Sequence, residues 1–230
     1  MVRFWPESMD EGRTVLGNVT FRYRVVRSAR RSRLALAVTR PGEVTIRCPE
    51  RLDLAIDALL ERHHDWILSA HRRALAREHG RPALEPGGWI WILGKAHPID
   101  EGLPPGAWAE GLSAFDLRQR LTNWYRPQAL RYFQSRLDYW SRQLNIDFAG
   151  LRLSDATSRW GYCRTDGWIG LSWRLYQAPD WVVDYVIVHE LTHRRFPHHR
   201  PSFWHAVSTV CPQFSAAKDW LRDMGPVLIW

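Results

Sequence analysis

Along the first third of the chain, apolar and polar positions alternate. Phe21, Tyr23 and Val25 interleave with Arg22 and Arg24; Leu34, Leu36 and Val38 repeat the period, and Val44 with Ile46 makes a third short run. A period of two sends successive side chains to opposite faces, so three half-buried strands are expected from Asn18 onward. Residues 27–33 read as a basic turn between the first two strands, and Pro41 with Gly42 turns the chain into the third. Residues 1–17 show no period and are expected to form a loose N-terminal segment. After Pro49 the spacing becomes helical. Leu54, Ala58, Leu59, Trp66, Ile67, Ala70 and Ala74 form one stripe, with Asp53 as the expected N-cap and Gly80 and Pro82 as the stop. His63, His64, His71 and His79 lie on this helix, scattered around it, and read as surface residues. Residues 88–99 read as a hairpin that turns at Gly94 and Lys95.

Ser113 opens a longer helical pattern through Leu117, Leu121, Trp124, Phe133, Leu137, Trp140 and Leu144, with arginines on the opposite side. Pro127 falls inside it and has no N–H to donate, which predicts two consecutive helices or one bent one. Residues 151–156 then read as a short strand, 157–166 as a polar loop and 167–173 as a second strand. The run 182–188 is rich in β-branched residues and has strand propensity. Two features favour a helix there. Pro179 fits a first helical position, and apolar residues continue to Leu191 before Pro197 forces a stop. A last amphipathic stretch runs from Ser215 through Trp220 to Met224. The Gly- and Pro-rich residues 100–111 mark the expected subdomain boundary. The organisation expected is therefore a loose 1–17, a β-rich subdomain with one long helix over 18–111, and a second subdomain over 112–230.

Composition narrows the function classes. A chain of 230 residues with 45% hydrophobic and 24% charged positions is that of a globular protein able to bury a sizeable core. It has no apolar run near the length of a membrane span and no apolar leader, so no membrane partner and a cytoplasmic location are expected. Cys48, Cys163 and Cys211 are odd in number and far apart, which is no disulfide framework; Cys163 reads as an idle thiol. The net charge of +8 raises the question of nucleic acid. The basic residues are almost all arginine, however, with Lys95 and Lys218 the two lysines, and they are spread along the whole chain. Nucleic acid is accordingly not favoured as a partner, and the oligomeric state is not legible.

The chemistry concentrates in His189-Glu190-Leu191-Thr192-His193. On a helix, four residues is about 400° of rotation, so both imidazoles leave the same face one turn apart. Two ring nitrogens can then meet on one zinc ion, with Glu190 placed to take a proton from a metal-bound water. A structural zinc site has no use for that glutamate. A hydrolytic site needs a third protein ligand, and no glutamate follows Glu190 to supply one. His198, His199 and His205 are the nearby choices. The spacing to His199 matches that of metzincins, but Phe196 stands where that class has its glycine.

Residues 158–163 (Ser-Arg-Trp-Gly-Tyr-Cys), 167–175, Ala178 with Pro179, 184–193, His199 and Phe203 with Trp204 together resemble the YgjP-like metallopeptidase family, a relative of the SprT-like and WLM zinc proteases. Tyr162 stands where that family usually has Ser, and His198 where it usually has Asn. The resemblance implies an α+β, zincin-like metallopeptidase fold with a β-rich N-terminal part and a helical, HExxH-bearing C-terminal part. It implies His189, His193 and His199 as ligands of one Zn2+ per chain, Glu190 as catalytic base, and a peptide or protein substrate. Residues 167–173 are expected as the strand edge along which an extended peptide adds, and Arg159, Tyr162, Tyr185 and His205 as candidate substrate or oxyanion contacts. Two alternatives carry other chemistry. One is a nucleoside triphosphate (UTP) pyrophosphatase, which the same resemblance brings although no Walker-type glycine loop is present; the other is a basic nucleic-acid-binding protein with a structural zinc site.

Overall fold

The computed structural model describes residues 9–82, 84, 88–99 and 112–228. The chain divides into two compact units, Met1–Gly80 and Arg81–Trp230. Among the described residues, no helix is long and apolar enough to cross a membrane.

In the N-terminal unit, four strands form one sheet in the order β1-β2-β4-β3: β1 (Met9–Leu16), β2 (Val19–Ser28), β3 (Ala35–Arg40) and β4 (Glu43–Pro49). β1 runs antiparallel to β2, β2 parallel to β4, and β3 antiparallel to β4. Residues 9–16, expected to be loose, are thus a full strand. Their alternation is blurred by Gly12, which is small because the Tyr23 ring of the next strand lies where its Cβ would be. The expected helix over 54–74 is two, α1 (Ile56–Arg62) and α2 (His64–His79), separated at His63. Asp53 caps neither of them, since Ala55 occupies the first N-cap position without a side-chain bond. Phe21, Val25, Val44, Ile46 and Cys48 from one sheet face bury themselves against Leu60, Ile67, Ala70 and Ala74. His71 belongs to this framework and is not a surface residue. Its Nδ1 accepts the Gly42 N–H at 3.0 Å, and its ring meets that of Phe21 edge-on.

The C-terminal unit begins with the hairpin β5 (Trp89–Ile92) and β6 (Lys95–Pro98). Its turn sits at Leu93 and Gly94, one residue earlier than expected, with φ of 47° and 77°. Two positive φ values match the twist of the flanking strands, which is why this turn wins. The Leu93 and Gly94 N–H groups donate to the carbonyls of Tyr176 and Gln177 at 2.9 and 3.0 Å. A Cβ on Gly94 would lie 2.9 Å from Pro179 Cα. These contacts assign the hairpin to the C-terminal unit, whereas the sequence grouped it with the N-terminal one. Residues 100–111, the expected boundary, lie outside the described residues.

α3 (Ala114–Leu144) follows as one continuous helix containing Pro127. Ser113 caps it by accepting the Asp116 N–H at 3.1 Å, and Asn145 closes it at φ 51°. Pro127 does not split the helix because it and Asn123, four residues earlier, lie on the exposed side, where the missing hydrogen bond costs least. A three-stranded sheet comes next, in the order β7-β9-β8: β7 (Gly150–Ser154), β8 (Gly161–Cys163) and β9 (Trp168–Ser172). β8 lies inside what the sequence presents as a polar loop. A 3-10 turn (Trp173–Gln177) leads to α4 (Asp180–Thr192), then α5 (Pro201–Val210) and α6 (Phe214–Met224). The molecule is a mixed α+β protein.

α4 is the core helix. Val182, Val183, Tyr185, Val186, Ile187, Val188 and Leu191 are all buried, covering nearly its whole circumference. The β-branched run is helical because burial on all sides outweighs a weak strand propensity. Arg136 of α3 holds Asp184 of α4 through two bonds of 2.7 and 2.6 Å, which fixes the helix along its length. α4 stops at Thr192, five residues before Pro197, and the chain then turns back through short hydrogen-bonded turns.

Candidate metal centre

The last turn of α4 and the segment after it converge three imidazoles. His189 Nε2 lies 3.2 Å from His193 Nε2 and 3.0 Å from His199 Nε2. Three nitrogens on one tetrahedral zinc, each at about 2.0–2.1 Å, would sit about 3.3 Å apart. The observed spacing is therefore close to that of a ligand set, and the three rings could hold one metal ion. His193 Nδ1 lies 3.0 Å from the Phe196 carbonyl oxygen, so it carries the proton and donates, leaving the Nε2 lone pair for a metal. Burial pushes His189 down to about 3, helped by His193, His199 and the Lys218 ammonium. His199 is lowered in the same way, by desolvation first and then by His193 and Lys218. Both rings are neutral at ordinary pH, as nitrogen ligands must be.

Aromatic packing fixes the rings. Phe203 stacks on His193 at 4.6 Å and meets His199 at 4.7 Å. Trp204 stacks on His199 at 5.5 Å, and Phe214 of α6 stacks on Trp204 at the same distance. Lys218 of α6 places its ammonium 4.5 Å from the Trp204 ring centre.

Glu190 sits on the inner side of the cluster and is only 7% exposed. It packs against β8 at Gly161, where a Cβ would fall 2.7 Å from the carboxylate Oε1. Any larger residue at 161 would displace the carboxylate, so the glycine of the Arg-Trp-Gly segment has a steric cause. Burial raises Glu190 to about 7, with Arg159 acting in the opposite direction. A carboxyl that titrates near neutrality can both take up and release a proton there.

The other sequence candidates fall in different places. Tyr185 is 5% exposed, and its hydroxyl lies 3.5 Å from His189 Nδ1, behind the ring. Burial, followed by Cys211 and Glu190, raises its hydroxyl pKa well above the ordinary value. Arg159 lies over the Tyr162 ring at 4.7 Å and is near enough to influence Glu190. Tyr162 itself lies over Gly170 of β9, and alternation along β8 puts it on the face opposite Gly161. His205 is an exposed residue of α5 outside the imidazole cluster. His198 is likewise outside it, with its Nδ1 accepting the Arg200 N–H at 3.4 Å. The strand expected as a substrate edge is not an edge: β9 is central, flanked by β7 and β8. Among the described residues, the outer strand beside Glu190 is β8. Sequence reasoning gave no role to Gly161 or Lys218. Gly161 is legible only as a glycine within a motif, and Lys218 only as one of two lysines.

Comparison with known proteins bears on this site. A search of curated proteins finds no match. Among solved structures, the crystal structure of the metallopeptidase zymogen of Pyrococcus abyssi abylysin is similar at 20% identity and a TM-score of 0.37, covering 39% of this chain and 90% of that one. A family model described as YgjP-like, metallopeptidase domain, matches residues 32–224. That span takes in the three histidines, Glu190, Gly161 and the elements that position them, and the chain belongs to the YgjP-like metallopeptidase domain family.

Proposed function

We propose that this member of the family is a zinc-dependent peptidase of zincin-like architecture, in which His189, His193 and His199 hold one Zn2+ and Glu190 is the general base. The observation that carries this reading is that His189 Nε2 lies 3.2 Å from His193 Nε2 and 3.0 Å from His199 Nε2, with Glu190, the residue after His189, buried. Bound there, the ion would act as a Lewis acid on the scissile carbonyl and acidify water. Glu190 takes the proton of the attacking water on a carboxylate oxygen and passes it to the leaving amine. An extended peptide adds to the outer edge of β8, which brings its backbone past Gly161 and Glu190. Tyr185 holds the His189 ring from behind, and Arg159 is the candidate for the oxyanion.

The test is zinc content and hydrolysis of unfolded protein by the wild type and Glu190→Gln. Full zinc in both, with hydrolysis in the wild type alone, is expected. A variant that loses its zinc, or one that cleaves at the wild-type rate, would remove Glu190 from the role of base.

A further inference from the structure

The side of the cluster formed by α6 carries a charge that the mechanism does not use. Lys218 reaches over Trp204, the same ring that stacks on His199. Its field is felt at both His189 and His199. Among the described residues, no carboxylate lies within ion-pair distance of it. The two acids that follow it on α6, Asp219 and Asp223, are both taken by Arg222, at 2.7 and 3.0 Å. Lys218 is therefore an exposed ammonium held against an aromatic wall of the centre, with no ion-pair partner among the described residues.

We infer that Lys218 binds a carboxylate of the peptide substrate and so sets a preference for acidic peptides at this centre. The inference rests on the peptidase reading above and deepens it by naming the substrate class. An ordinary solvated lysine gains little from lying on an indole at an exposed site. What distinguishes this one is its place. The indole holds the ammonium over its ring face, so the ammonium loses less freedom when a carboxylate arrives. Arg159, which lies over the Tyr162 ring at 4.7 Å, adds a second positive charge near Glu190, and the two cations together favour an anionic substrate. The carboxylate comes either from an Asp or Glu side chain or from the free end of the peptide; the chemistry at Lys218 is the same.

Equilibrium binding separates these sources and does not depend on turnover. The zinc-loaded Glu190→Gln protein serves as a non-cleaving background, and fluorescence anisotropy is read with three labelled peptides. They are one with a Gln and an amidated end, the same with Glu in place of Gln, and the Gln form with a free carboxylate. We expect at least one carboxylate form to bind about fivefold tighter than the neutral amide, the scale of one partly screened charge pair. The form favoured identifies the source. Adding Lys218→Met, which removes the charge and keeps an unbranched side chain of similar length, should bring the three peptides within twofold of one another. Adding Lys218→Glu should favour a Lys-bearing peptide instead. Equal binding of all three peptides in the background protein overturns the inference. So does a preference that survives Lys218→Met, and so does UTP displacing the neutral peptide more tightly than the carboxylate forms bind. If the Lys218-dependent preference appears while the protein with Glu190 intact cleaves no peptide, the peptidase reading fails and the carboxylate site stands.

Discussion

α2 and α4 both carry histidines at helical spacing, yet they use them in opposite ways. On α2, His71 spends its Nδ1 on the Gly42 N–H, and His64 lies 3.2 Å from the carboxylate of its neighbour Asp65. On α4, His189 and His193 are half-buried in a helix with an almost wholly apolar surface. His193 turns its Nδ1 to a backbone carbonyl, and the Nε2 atoms of both rings face each other and His199. The difference teaches that histidine spacing alone does not make a metal site. The ring nitrogens must be left without a protein donor and met by a third ligand from elsewhere in the chain.

The comparison breaks most sharply at zinc. His199→Ala, and equally His193→Ala, should lower zinc affinity by about a thousandfold or more, while His64→Ala, His71→Ala, His198→Ala and His205→Ala keep stoichiometric metal. Competition with a chromogenic chelator measures this directly. A His198→Ala protein that loses zinc while His199→Ala keeps it would move the ligand by one residue.

Next in size is the loss of hydrolysis in Glu190→Gln, about a hundredfold to ten-thousandfold in kcat with zinc content unchanged. The same substitution sharpens the comparison through stability. In the metal-free chain, Glu190 titrates at about 7 when folded, against 4.5 for an ordinary, solvated glutamate. Its folded pKa is raised, so its contribution is fully present below 4.5 and is lost as pH rises through 7. His189, whose folded pKa is depressed, acts with the opposite sign, its contribution being lost as pH falls below its ordinary range. The difference between wild type and Glu190→Gln isolates the carboxyl. Metal-free Glu190→Gln should gain on the wild type by about 3 kcal/mol between pH 4 and pH 8. Denaturant unfolding at the two pH values checks it, and a difference independent of pH would refute the raised pKa.

His71→Ala should cost about 1–3 kcal/mol in the N-terminal unit, because the Gly42 N–H loses its partner, with no change in zinc affinity. Denaturant unfolding alongside the chelator assay separates the two readouts. Tyr185→Phe should have the smallest effect, at most about tenfold on zinc affinity, since its hydroxyl lies at the long distance of 3.5 Å from His189. A hundredfold loss in the same chelator assay would give Tyr185 a larger part than its geometry supports.

Local periodicity and local spacing are legible because they depend only on neighbours. The alternation through Phe21, Tyr23 and Val25, the stripe of α3 and the pairing of His189 with His193 are all of this kind. So is the position of Glu190 beside them. The sequence by itself thus determined a mixed α+β chain, the helix that carries the chemistry and two of the three imidazoles that converge. What only the tertiary structure decided depends on groups distant in sequence. Met9–Leu16 is a strand because it pairs with β2, and its own pattern is blurred by a glycine made necessary by Tyr23. Trp168–Ser172 is central and Gly161–Cys163 is an edge because strand order is set by pairing, which no single strand encodes. Pro127 continues its helix because that side of the turn is exposed. His199, and not its neighbour His198, joins the cluster because the turn after α4 and the stack with Phe203 and Trp204 aim it there. The raised pKa of Glu190 is likewise a property of the packed protein: a carboxylate is ordinary until β8 closes over it and removes its water.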